Sequence, residues 1–391
     1  MEKIHRKLQS SSLGVLLLFF CCQHISSESN DNIRYEVTSD TLSLDKRDVL
    51  SLFSVWDNDS GEQNYFLLYR PKYNEISIVD LTKKFEITSF KVPKYEEPDS
   101  VIGKLVSFYY YNRDSIFLLH EYQLSIIDTS QHIKFKKIIN NPYSDDWPPI
   151  IYGNFGRVFP ICFDAEKKQL LIRQHCGECG NDTSFFRTNV AAVYDFKRDT
   201  FMDLNVPFPE KYKTNYYGDA MHVFREIKGD SLIFTFNADP YVTIFNKNNA
   251  QITKVYLKSK FQKKEIKPLD KKYMPDINKR VEHLAVSPLY MKLIYDKYKK
   301  LFYRFFLREQ KLKNANDIYN TFGDKELVIM VLDSNLKLIF EFNLGKGYLW
   351  HYSFVDKNGL HVLKDKRDGT TNLSEYEKQK IQFDVINISP K

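Results

Sequence analysis

Five segments of the chain share one layout: strand, turn, strand, turn, strand. They are YFLLYRPKYNEISIVDLTKKFEITSFKV (65–92), SIFLLHEYQLSIIDTSQHIKFKKII (115–139), the stretch 169–206, SLIFTFNADPYVTIFNKNNAQITKVYL (231–257) and the stretch 301–344. In each, the middle strand ends in an apolar run followed by Asp or Asn: Asp80, Asp128, Asp195, Asn246 and Asp333. A side-chain oxygen at that position accepts from backbone N–H groups of the turn that follows, so the marker has a local physical cause. A further strand-like run precedes every segment: VLSLFSVW (49–56), KLVSFYYY (104–111), RVFPICF (157–163), HVFREI (222–227) and HLAVSPLY (283–290). Each unit therefore holds four strands. The markers lie 48, 67, 51 and 87 residues apart, a unit near 50 residues with insertions.

Four-stranded units at that interval predict an all-β chain, a β-propeller of four-stranded antiparallel blades. A sixth unit fits YSFVDKNGLHVLKD (352–365) and IQFDVINI (381–388), but it lacks an outer strand. YEVTSDTLSL (35–44) can supply it, so that an N-terminal strand closes the last blade and joins the chain ends. The prediction is a six-bladed β-propeller in one domain, 34–391. Two β-sandwich domains are the competing architecture, disfavoured by repeats that run end to end without a linker. A seventh blade has room only within 258–345. Composition agrees: aromatics make up 15% of the chain, with 26 Tyr and 30 Phe, and such residues favour strands.

The N-terminus, MEKIHRKLQSSSLGVLLLFFCCQHISSESND, has basic residues Lys3, Arg6 and Lys7 before a short apolar run, Leu13 to Phe20. That run is far shorter than the ~20 residues of a spanning helix and reads as an export leader, 1–22. It ends at Cys21-Cys22, where a bacterial lipoprotein signal places its acylated cysteine. The residue before the cysteine is not small, as that signal prefers. The polar stretch 23–33 suits a flexible tether. Acylation of Cys21 or Cys22 would hold the protein on a membrane, and the expected location is the cell envelope, at the outer membrane. The net charge of +7 is spread over lysine-rich turns such as KSKFQKKEIK (258–267), with no nucleic-acid-binding motif. No nucleic-acid partner is expected.

HCGECG (175–180) places Cys176 and Cys179 two residues apart in a long hairpin loop of the third unit. A structural zinc site ordinarily needs four ligands. His175 and Cys162 would have to complete one here. A redox Cys-x-x-Cys usually opens a helix, and none is expected. In an exported chain a Cys176–Cys179 disulfide stapling the loop, or a pair of inert thiols, is the simpler reading. No metal and no cofactor is predicted.

The leader ending in cysteine, the repeated marker Asp, SPLYMKLIYDKYKKLFYRFFL (287–307) and SFVDKNGLHVL (353–363) together resemble a family of uncharacterised Bacteroidota lipoproteins that carries a domain-of-unknown-function label. The resemblance covers nearly the whole mature chain. It implies a six-bladed propeller in the cell envelope and transfers no catalytic residue.

In a propeller, loops entering the innermost strands share one face with loops between the second and third strands. Here the incoming loops 140–157, 209–222 and 344–351 are rich in aromatics and polar groups. Trp147, Arg157, Tyr217, His222, Trp350 and His351 are the candidate ligand-binding residues. Aromatic bodies with nearby polar atoms suit a small carbohydrate or a peptide. Packing of the same aromatics against the blades is the competing reading. The function expected is recognition or scaffolding through this face. A glycan-active hydrolase or lyase, pairing Asp146 with Asp219 across the channel mouth, is the alternative. A protein partner at the lysine- and tyrosine-rich insert 258–320 is a third.

Overall fold

The computed structural model describes residues 33–43, 53–57, 64–93, 103, 105–120, 123–138, 161–173, 186–187, 189–365 and 380–390. Strand β1 (Ile33–Ser43) opens the described chain. Blade 1 holds β2 (Phe53–Asp57), β3 (Asn64–Arg70), β4 (Glu75–Asp80) and β5 (Phe85–Lys91). Blade 2 holds β6 (Leu105–Asn112), β7 (Ser115–His120), β8 (Gln123–Ile127) and β9 (Ile133–Ile138). Blade 3 holds β10 (Cys162–Asp164), β11 (Gln169–Arg173), β12 (Asn189–Asp195) and β13 (Thr200–Pro207). Blade 4 holds β14 (Val223–Lys228), β15 (Ser231–Phe236), β16 (Asp239–Asn246) and β17 (Ile252–Tyr256). Blade 5 holds β18 (Leu289–Asp296), β19 (Leu301–Leu307), β20 (Leu327–Leu332) and β21 (Leu338–Gly345). Blade 6 holds β22 (Tyr348–Asp356), β23 (Gly359–Lys364) and β24 (Lys380–Pro390), completed by β1 on its outer side.

The result is a six-bladed propeller closed by the N-terminal strand, as the repeat predicts. β1 pairs with β24 in unbroken antiparallel register from Ile33↔Pro390 to Ser43↔Lys380. Middle strands lie between two neighbouring blades and are covered on both faces. Their sequences are therefore continuous apolar runs, such as LVIMVL in β20, buried at every position. Outer strands face water on one side and alternate, as IKFKKI does in β9. Apolar clusters fill the blade junctions. Leu67, Ile76, Phe108 and Ile116 join blades 1 and 2. Phe66 and Val79 meet Tyr352, Phe354 and Phe383 where blade 6 returns to blade 1. Blade 5 is also clamped to blade 4 by Arg304 of β19, which is fully buried. Its guanidinium donates to the carbonyls of Pro240 (2.7 Å), Leu257 (2.9 Å) and Asp239 (3.0 Å), and stacks 4.1 Å from the ring of Tyr290.

The marker residues make the turns expected of them. Asp80 Oδ1 accepts from the N–H groups of Thr82 and Lys83, Asp195 Oδ1 from Lys197 and Arg198, and Asp333 Oδ1 from Asn335 and Lys337. The turn then closes through a left-handed residue, Lys84 (φ 64°), Asp199 (φ 50°) or Leu336 (φ 63°). Asp164 and Asp296 repeat the device at the end of the innermost strand, with Lys168 and Lys300 left-handed. All these hairpins join first to second or third to fourth strands, so they share one face. Among the described strands, no two neighbours joined on that face are more than six residues apart in the chain. Both described ends, Ile33 and Pro390, also leave the ring there, because they are paired at the outgoing end of β24.

Two expectations need correction. HLAV of 283–290 is not strand but the end of helix α2 (Ile277–Val286), which follows the short helix α1 (Glu210–Thr214), and β18 starts only at Leu289. Asp276 caps this helix by accepting from Asn278 N and Lys279 N, and Pro288 forbids its continuation. The stretch 344–351 is not a long incoming loop either. β21 ends at Gly345 and β22 begins at Tyr348, so two residues join blades 5 and 6. The excess length of 258–345 is not a seventh blade. It lies in the connection after β17, which carries α2, and in the loop 308–326 between β19 and β20.

Candidate binding site

The innermost strands of blades 5 and 6 are both bulged. In β18, Met291 and Lys292 stand opposite the single residue Phe305. In β22, Trp350 to Ser353 stand opposite the single residue Val362. A bulge frees main-chain groups from the ladder and re-aims side chains, which is why bulges recur beside binding sites. Lys292 uses the freed groups: its Nζ donates to the carbonyls of His351 (3.1 Å) and Ser353 (2.8 Å). Ser353 Oγ donates back to the carbonyl of Trp350, fixing the bulge.

One acidic group of the neighbouring blade 4, Glu226, attracts this lysine. Glu226 of β14 accepts from the N–H groups of Ile227 (2.9 Å) and Tyr295. Burial pushes its carboxyl up to about 7 and pulls Lys292 down to about 7, each against the attraction of the other. Arg225, next on β14, neighbours Cys162 of β10, whose thiol is pushed up by burial. Such a thiol is a poor nucleophile. Arg225, Glu226 and Lys292 are half-buried on the innermost strands of blades 4 and 5. Above them the rings of Phe224 and Trp350 meet edge to face at 5.6 Å, linking blades 4 and 6 over the inner strand of blade 5.

The candidate residues named from sequence fall into three groups. Trp350 and Tyr217 are buried in the core rather than offered to solvent, at 6% and 4% exposure. Tyr217 packs on Tyr212 at 5.2 Å, and the hydroxyl of Tyr212 accepts from Ala238 N at 2.8 Å. This connection before β14 is a packed plug, and its aromatics point inward. His222 and His351 are half-buried at the start of β14 and within the β22 bulge. His351 lies 4.3 Å from the ring of Tyr352 and 5.3 Å from that of Trp350. Trp147, Arg157, Asp146, His175, the Cys176–Cys179 pair and Cys21 and Cys22 lie outside the described residues. Asp219 is held by Arg280 Nε at 3.2 Å. Among the described residues, no group of three His, Cys, Asp or Glu side chains is placed to hold a metal ion. None of their helices is long and apolar enough to cross a membrane.

Sequence reasoning missed Arg225, Glu226 and Lys292. The signal was present: each charge interrupts an apolar run, in VFREI and in LYMKLI, on a strand assigned to the ring's centre. A charge placed there either faces the channel or needs a partner.

Comparison with known proteins bears on fold and family. A crystal structure of a DUF4221 family member from Bacteroides vulgatus superposes with a TM-score of 0.73 at 17% identity, covering 93% of this chain and all of that one. The crystal structure of a candidate exported protein from Bacteroides fragilis gives a TM-score of 0.52 at 13% identity, covering 90% and 95%. No protein of curated function matches the chain. A profile of DUF4221, a domain of unknown function, matches residues 25–342. The chain therefore belongs to the DUF4221 family.

Proposed function

We propose that this protein is an exported recognition or scaffold protein of the cell envelope that takes its ligand on the loop face of the propeller. The asymmetry of the two faces carries the reading. One face consists of hairpins of six residues or fewer. The other carries the long described connections 208–222, 257–288 and 308–326. The similarity to a candidate exported protein supports export. Ile33 leaves on the hairpin face, which favours an anchor at Cys21 or Cys22 on that side and a loop face turned outward. Trp147, Arg157, His222 and His351 are the residues proposed to meet a small carbohydrate or peptide. Tyr217 and Trp350 support them from below, and a Cys176–Cys179 bridge staples the third blade's loop.

The test is a thermal-shift screen with neutral oligosaccharides, amino acids and short peptides. A ligand present at a hundred times its Kd stabilises the native state by about 2.7 kcal/mol, which raises the melting temperature by a few degrees. The expected result is a saturable rise with one ligand class, lost in Trp147→Ala and Arg157→Ala. A screen in which every class leaves the melting temperature unmoved removes the small-ligand reading. Mass spectrometry of protein from membranes tests the anchor: an acylated N-terminal cysteine, absent from Cys21→Ser/Cys22→Ser, is expected.

A further inference from the structure

The connection from blade 4 to blade 5 has a charge pattern that its role as a link does not require. Residues 258–288 hold nine Lys or Arg and four Asp or Glu, in a chain whose whole formal charge is +7. Lys258, Lys260, Lys263, Lys264, Lys267 and Lys271 are all exposed. None of the six makes an ion pair among the described residues. Of the carboxylates around the segment, Asp270 pairs with Lys272 (3.0 Å), and two others bind its backbone or hydroxyl groups. Glu341 accepts from the hydroxyl of Ser259 and from Lys260 N (2.9 Å), and Glu309 accepts from Lys263 N (3.0 Å).

The same contacts make the segment a fixed track rather than a loose loop. Ser259 N donates to Tyr290 Oη (3.0 Å), the carbonyl of Lys267 meets His283 Nε2 (2.8 Å), and Leu269 N donates to the carbonyl of Tyr216 (2.7 Å). The backbone is pinned at intervals across the junction of blades 4 and 5. The exposed side chains between the pins are mostly lysines, with the single acid Glu265 among them. At the blade 4 end the track begins beside a pair of exposed rings. Tyr241 and Tyr256 are cross-strand partners 5.0 Å apart, at 44% and 55% exposure. A solvated basic loop needs no such pinning and no adjoining aromatic pair. A linear polymer of acidic sugars uses both features: its carboxylates or sulfates meet the ammonium groups, and its ring faces lie on tyrosine.

We propose that the lysine track 258–271, with Tyr241 and Tyr256 at its end, is a docking surface for an anionic polysaccharide. The proposal specifies a ligand class for the loop face, and so rests on the recognition reading. It uses residues separate from those around the channel mouth, so that either can fail alone.

The experiment measures binding of the purified protein to polygalacturonate and to heparin by calorimetry at 50 and 500 mM NaCl. Dextran, poly-glutamate and a thymidine 20-mer serve as comparisons. The expected result is saturable binding of at least one acidic polysaccharide, weakened tenfold or more by the higher salt as screening shortens the reach of exposed charges. Combined Lys263→Gln, Lys264→Gln, Lys267→Gln and Lys271→Gln should weaken it at least tenfold, with an unchanged melting temperature. Tyr256→Ala should weaken it about fivefold, since the lost stacking adds to the charge. Dextran should not bind. Absence of binding by both acidic polysaccharides at 50 mM NaCl overturns the proposal, as does binding indifferent to the combined Lys→Gln substitutions. Poly-glutamate or the oligonucleotide binding as tightly as the polysaccharides, with Tyr256→Ala without effect, also overturns it and assigns the track to an acidic polypeptide or nucleic acid.

Discussion

Replacing Arg304 with methionine should separate blade 4 from blade 5 energetically while leaving the volume nearly filled. The guanidinium makes three hydrogen bonds to carbonyls of blade 4 and its end, and it stacks on Tyr290. Hydrogen bonds to a charged group are worth about 1.5–3 kcal/mol each, so the gross loss is on the order of 6 kcal/mol. Against this stands the desolvation of a buried cation, several kcal/mol that methionine does not incur. Methionine also refills much of the apolar contact. The three carbonyls, however, lose their donor in a site closed to water. The net expectation is a destabilisation of about 3 kcal/mol. With a urea m-value near the top of the usual range, about 3 kcal/mol/M, the denaturation midpoint falls by about 1 M. Far-UV circular dichroism in urea reads this directly. Arg304→Lys should fall almost as far, because a single ammonium cannot span three carbonyls or stack as a plane does. A midpoint within 0.3 M of the wild type (roughly 1 kcal/mol at such an m-value) in Arg304→Met would refute the argument that this residue holds the two blades.

Two further substitutions probe other parts of the ring. Gly359 opens β23 at φ +137°, and a Cβ there would lie 2.3 Å from the carbonyl oxygen of Ile386; Gly359→Ala should cost about 2–4 kcal/mol, read as a lowered melting temperature. Lys292 titrates near 7 in the folded protein because of burial, against an ordinary value of 10.5. The folded state therefore binds fewer protons than the unfolded chain between those pH values, and stability should rise with pH across that window. Lys292→Met should abolish up to about 4 kcal/mol of that rise, measured as the wild-type minus variant difference in denaturation free energy at pH 7 and pH 10. Identical pH profiles would show that Lys292 is well solvated.

The ring was readable because its physics is repeated. A middle strand covered on both faces is mostly apolar, and most of the short hairpins place an acceptor at their first position. Asp80 and Asp195 thus mark the same place in different blades for the same reason. The closing strand followed by subtraction, since the last unit lacked one outer partner. Other features had no such repetition. HLAV is apolar enough for a strand, and only the Asp276 cap two turns earlier marks it as helix. The bulge from Trp350 to Ser353 inserts three residues against β23, a local departure from period 2 that leaves no compositional trace. Tyr217 sits in a connection with no periodicity, so its sequence did not say which way the ring would turn.

Closure by β1 also fixes when this molecule can become itself. Ser39 Oγ donates to Asp384 Oδ1 across 345 residues of chain. β1 must wait for β24, made more than 300 residues later, with its hydrogen-bonding edge unpaired until then. Five blades can pair internally as they emerge, but the sixth has no outer strand until both ends are present. A chain that lacks β24 keeps β1 without its partner and leaves the edges of β1 and β23 open to other chains, and pairing with β24 hides both.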